Sequence, residues 1–152
     1  MNKKKIQIEQ IESRIKLFSP ARQLPNPPTG WVRAIRLALG MSLQQLANKM
    51  SLTKQSVQEF EMREMEGAIT LKSLRETARA LDMELVYGFV PKDGSLEKYI
   101  DKKARSLAEK IVSRTSNTMK LEDQENTNQQ IKRAIEERTM IIKQELPKAL
   151  WD

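Results

Sequence analysis

Leu43-Gln44-Gln45-Leu46-Ala47-Asn48-Lys49-Met50-Ser51-Leu52-Thr53-Lys54-Gln55-Ser56-Val57-Gln58-Glu59-Phe60-Glu61 is the stretch on which the fold turns. It reads as two short helices joined by a tight turn. Ser42 stands at an N-cap position, and Gln45, three residues on, completes a capping box. The first helix runs from Leu43 to about Met50, and Met50-Ser51-Leu52 makes the turn. Thr53 caps the second helix, which extends to about Met65 before Gly67 breaks the chain. Ala47 is small where the second helix must cross closely. Val57 and Phe60, three apart, face inward. Lys54, Gln55, Gln58 and Glu59 are left pointing outward, with Thr53 and Ser56 at the N-terminal end.

The neighbouring segments extend this helical set. Trp31 to Leu39 reads as a helix ending at Gly40, a suitable left-handed residue just past a helix end. Trp31 opens that helix and is expected in the core. Thr70 starts a further helix with Leu71, Leu74, Ala78 and Leu81 on its apolar face. Residues 84–91, Glu84-Leu85-Val86-Tyr87-Gly88-Phe89-Val90-Pro91, have strand character and close on a Lys92-Asp93-Gly94 turn. Leu85, Tyr87 and Phe89 fit either an edge strand folded back on its own core or a strand pairing with its twin across a dimer axis.

Further out, residues 1–18 form an amphipathic helix with Ile8, Ile11, Ile15 and Phe18 on one face. Residues 19–30 hold prolines at 20, 25, 27 and 28 and read as an extended connector. Residues 95–146 are helical again. Leu96, Tyr99, Ile100, Ala104, Leu107 and Ile111 form one stripe, and Ile131, Ile135, Ile142 and Leu146 another. Residues 114–129 are polar and read as a loop or frayed helix. Both terminal helical regions fit intramolecular packing, dimer arms or a partner-binding helix. Trp151 fits either a contact on the last helix or an exposed contact for a partner.

Composition narrows the chemistry. The 152 residues carry 27 Lys+Arg against 20 Asp+Glu, a formal +7, with no histidine and no cysteine. Disulfides, Cys/His zinc sites, thiol nucleophiles and imidazole bases are therefore excluded. No P-loop or nucleophile motif is present. Carboxylates such as Glu59, Glu61 and Glu64 lie on a helix already accounted for. The expectation is no enzyme, no catalytic residue, no cofactor and no metal. No apolar run approaches the roughly 20 residues that span a bilayer, so no membrane partner is expected. The stretch Met1-Asn2-Lys3-Lys4-Lys5 is basic, but Ile6-Gln7-Ile8-Glu9-Gln10 is too polar for a signal peptide. The expected location is cytoplasmic. The positive excess is spread as +4 over residues 1–30, +1 over 31–91 and +2 over 92–152. Charge alone therefore does not establish a nucleic-acid partner.

Two short helices joined by a tight turn within a helical set make a helix-turn-helix. Residues 31–83 resemble the phage-repressor class of such domains, the Cro/C1 or XRE type. Residues 43–50 match its second helix, residues 53–61 its recognition helix, and residues 70–83, TLKSLRETARALDM, its fourth-to-fifth helix region. Many relatives carry glycine where Ser51 stands. The resemblance implies a mainly α architecture. It comprises a lambda-repressor-like helix-turn-helix domain with an N-terminal helix, one short β-strand and a C-terminal helical extension. It also implies a structural ion pair between Arg36 and Glu61.

It further implies a recognition helix over 53–65 that enters the major groove by its N-terminal end. Lys54 and Gln55 then lie nearest the bases: Gln reads adenine bidentately and Lys reaches guanine. Glu59, one turn on, accepts from cytosine or rejects wrong bases, and Gln58 shares that face. Gln44, Thr53 and Ser56 suit phosphates. A homodimer on a palindromic double-stranded operator is expected, because one monomer reads few bases.

A longer resemblance is to the mobile mystery protein A family. It rests on Gly30-Trp31-Val32-Arg33-Ala34-Ile35-Arg36, the recognition helix, and Leu85 through Pro91. That family is similar to antitoxin-type regulators encoded beside a Fic-domain protein. This implies an autoregulating repressor and, alternatively, an interaction antitoxin that neutralises a Fic-type AMP-transferring enzyme through its helical extensions. The inhibitory pattern Ser/Thr-x-x-x-Glu-Gly/Asn is absent in strict form. Met62-x-x-x-Glu66-Gly67 lacks the hydroxyl residue, and Thr118-x-x-x-Glu122 is followed by Asp123.

Overall fold

The computed structural model describes residues 3–119 and 127–152. These residues form seven α-helices in two compact units. One unit spans residues 21–88; the other joins the chain up to Pro20 with the chain from Phe89 onward.

The 21–88 unit contains α2 (Trp31–Ala38), α3 (Leu43–Met50), α4 (Lys54–Glu66) and α5 (Leu71–Ala80). Local capping chemistry sets three of the four starts. Ser42 Oγ accepts from the Gln45 amide at 3.0 Å, and Gln45 Oε1 accepts from the Ser42 amide at 2.8 Å. Thr53 Oγ1 accepts from the Ser56 amide and Thr70 Oγ1 from the Ser73 amide, each at 3.1 Å. Ser51 ends α3 at φ +55°, a left-handed conformation that glycine adopts without cost. Val32, Leu46, Ala47, Val57 and Leu81 form the core, with Ile35, Met41 and Leu74 packed around it. Thr77 is also fully buried, its hydroxyl donating to the Ser73 carbonyl at 2.8 Å.

Three expectations are corrected here. Among the described residues there is no β-strand: residues 84–91 make no ladder, and Val86, Tyr87 and Phe89 are exposed. A strand needs a second strand to satisfy its backbone, and the described chain supplies none. Trp31 is 46% exposed, because Val32 and Arg36 take the inward face of α2. Its indole N–H instead donates to Asn26 Oδ1 at 3.4 Å. Phe60 is only half-buried, whereas Val57 is fully buried.

The other unit contains α1 (Lys3–Phe18), α6 (Leu96–Met119) and α7 (Thr127–Glu145). An ion pair of 3.3 Å between Asp101, early in α6, and Lys143, late in α7, shows that the two run antiparallel. Ala104 and Ala108 of α6, Ile142 of α7 and Leu150 from the 3-10 turn after α7 form one buried cluster, and Thr139 is buried with its hydroxyl on the Ile135 carbonyl. The two alanines let the helices approach closely. Trp151 stacks on Tyr99 with ring centroids 5.6 Å apart.

The polar stretch over 114–129, expected as a loop or frayed helix, is helical through Met119 and again from Thr127; residues 120–126 lie outside the described residues. So do Glu122 and Asp123 of the second near-match to the inhibitory pattern. The helix α1 has no buried residue; Ile8, Ile15 and Phe18 are half-buried, while Ile11 is 50% exposed, off the expected face. Two helix-end contacts hold α1. Lys4 Nζ donates to the carbonyls of Glu145 and Leu146 at the end of α7, and Glu12 Oε2 accepts from the Leu96 amide at the start of α6. Each charge has the sign that the helix dipole favours.

Candidate nucleic-acid interface

The helix α4 starts from an open end. Its outward residues, Lys54, Gln55, Gln58 and Glu59, are all exposed, and Thr53 is exposed beside them. Val57 alone anchors this half of α4 in the core. Ser56 is half-buried, its hydroxyl 2.8 Å from that of Thr53. The two hydroxyls thus flank the first turn, where backbone amides point outward and favour an anion. Gln44 sits exposed at the start of α3 and donates to Asn48 Oδ1 at 2.8 Å. Glu59 lies 3.8 Å from Arg63, one turn away; both are mostly exposed, so the contact contributes under about 1 kcal/mol and leaves Glu59 available.

The C-terminal half of α4 is held by carboxylates. Arg36 Nε and Nη2 donate to the two oxygens of Glu61, each at 2.9 Å, and Nη1 donates to the Met41 carbonyl at 2.9 Å. Both side chains are over 90% buried. The guanidinium is therefore satisfied on three of its donors, and its fork matches the carboxylate plane. The hydrogen bond to Glu61, more than the charge alone, pushes the Arg36 pKa above its ordinary value against the opposing cost of burial.

A second carboxylate, Glu64, had no assigned role in the sequence. Its Oε2 accepts from the Trp31 amide at 2.8 Å and its Oε1 from the Val32 amide at 2.9 Å. It thus caps α2 from α4. The N-cap of α2 is Gly30, which offers no side chain and sits at φ +87°. A Cβ on Gly30 would lie 2.8 Å from Glu64 Oε1. The signal was present but easy to pass over: a helix starting at Trp31 with Gly30, rather than Ser, Thr, Asp or Asn, before it.

Among the described residues no three acidic side chains come together as a metal site, and no helix is long and apolar enough to cross a membrane. Residues 32–87 match the helix-turn-helix family model, which supports a DNA-binding regulator of the XRE type. The match covers α2 to α5 and ends at Tyr87, so α1, α6 and α7 lie outside it. No curated protein and no solved structure matches the chain.

Proposed function

We propose that this chain, whose residues 32–87 match an XRE-type helix-turn-helix, is a sequence-specific repressor of its own operon. It binds a palindromic operator as a homodimer, with α4 in the major groove. The observation that carries this reading is the exposed polar face of α4, whose opposite face is fixed to the core by Val57 and Glu61. Lys54 and Gln55 read base edges, and Gln58 and Glu59 extend the reading one turn further. Gln44, Thr53 and Ser56 hold phosphates and set the register. The resemblance to mobile mystery protein A supports the operon assignment, with a Fic-domain protein as the neighbouring product.

Fluorescence anisotropy on the duplex upstream of the gene, against a shuffled duplex and across salt, tests this. A preference for the native duplex that falls by about 1–3 kcal/mol in Lys54→Ala and in Gln55→Ala is expected. Equal binding to both duplexes, vanishing as salt rises, leaves only phosphate attraction and defeats the proposal.

One observation supports a second role beside the first. The helices α1, α6 and α7 belong to a compact unit with its own buried cluster, more than DNA reading requires. In this reading that unit binds and neutralises the Fic-type enzyme. Deletion of residues 95–152 is then expected to abolish neutralisation while leaving some DNA binding; neutralisation by the truncated chain removes this role.

A further inference from the structure

We infer that Glu64 is a positioning residue that fixes the roll of the recognition helix, so that sequence discrimination depends on it although it points away from DNA. The inference rests on the proposed DNA-reading role of α4.

Within the 21–88 unit, α3, α4 and α5 are capped by their own Ser42, Thr53 and Thr70. Only α2 is capped from elsewhere, and its cap comes from α4. The contact is specific. The Gly30 backbone at φ +87° leaves the space that the carboxylate occupies, and any larger residue meets Glu64 Oε1. Glu61 and Glu64 therefore grip α2 at two points, Arg36 near its end and the Trp31 and Val32 amides at its start.

Val57 and Glu61 already tie one face of α4 to the core, and Glu64 adds a third tie, near the C-terminal end, that narrows the roll still open to the helix. The reading residues stand at the other end. Gln55 lies nine residues before Glu64, about 13 Å along the axis at ~1.5 Å per residue. A roll of about 10° moves a side-chain tip roughly 6 Å from the axis by about 1 Å. Recognition geometry has to hold to about 0.5 Å. Phosphate attraction is insensitive to a displacement of that size, because it acts on charge rather than on base-edge geometry.

The test uses the full chain, a duplex recovered by it from a randomised pool, and a scrambled duplex of the same composition. Glu64→Ala, Glu64→Gln and a control at the residue that follows α5, Leu81→Val, are compared at a temperature where circular dichroism shows each folded. Glu64→Ala is expected to lower the preference for the recovered duplex at least about tenfold, comparable to losing one base contact. Its salt-dependent binding to the scrambled duplex is expected to match the unmodified chain. Glu64→Gln keeps one carbonyl acceptor and is expected to fall between, so it answers the question if Glu64→Ala does not fold. Leu81→Val is expected to leave the preference unchanged.

An unchanged preference in the folded Glu64 variants overturns the inference and leaves the DNA-reading role standing. A preference lost equally in Leu81→Val also overturns it, since general loosening then accounts for the effect. If the unmodified chain recovers no preferred duplex, the DNA-reading role falls and this inference falls with it.

Discussion

Arg36 and Glu61 show what a single buried pair demands. Each is over 90% buried, and three guanidinium donors are satisfied. Removing one partner strands the other charge, at a cost of about 3–5 kcal/mol. Urea denaturation of Arg36→Ala is expected to show a loss of that size; a loss under about 1 kcal/mol would place the pair with exposed ones. The pH dependence follows from direction. Glu61 raises the Arg36 pKa on folding, so on the alkaline side the stabilisation is complete below the ordinary arginine range and is lost as pH rises through the folded value. The stability difference between the unmodified chain and Arg36→Met is therefore expected to stay constant from about pH 6 to 9, which denaturation across that range checks. At Gly30, alanine meets both the strained φ and the Glu64 oxygen 2.8 Å away. Gly30→Ala is expected to cost at least about 1 kcal/mol in urea denaturation, with faster amide exchange at Trp31 and Val32.

At the scale of elements, local chemistry was readable and distant partners were not. Ser42, Gln45, Thr53 and Thr70 declare helix starts within three residues of themselves, and Gly40 and Gly67 declare ends. That is why α2 to α5 were legible from sequence. The β-prone run at 84–91 has the composition of a strand, but strand formation depends on a partner that composition does not specify. Glu64 was missed for the same reason: its partners are 32 and 33 residues away. The face of α1 drifted because it has no buried residue, so its orientation follows Lys4 and Glu12 as much as its isoleucines. Glu12→Ala is expected to speed amide exchange across residues 3–18 while exchange in α7 stays slow. Unchanged exchange would mean that apolar packing alone holds α1.

At the scale of the whole molecule, the two units have separate buried clusters, Val32/Leu46/Ala47/Val57/Leu81 and Ala104/Ala108/Ile142/Leu150. Each unit also holds one tryptophan, Trp31 or Trp151. Variants Trp31→Phe and Trp151→Phe thus report the units one at a time. Their urea midpoints by fluorescence are expected to differ, since no buried residue is shared between the clusters. Coincident midpoints would show a single cooperative unit. This division also explains why the family match covers only residues 32–87 and leaves the role of the second unit to be tested by partner binding.

The proposed role of α4 is to read bases with its exposed face. Selection of duplexes from a randomised pool by the full chain and by Gln55→Ala tests it most directly. A two-fold-symmetric consensus is expected, with half-sites about 10 bp apart or a multiple of that. In Gln55→Ala the same consensus is expected with one base pair per half-site relaxed. A consensus identical for both proteins, or none for either, would contradict it.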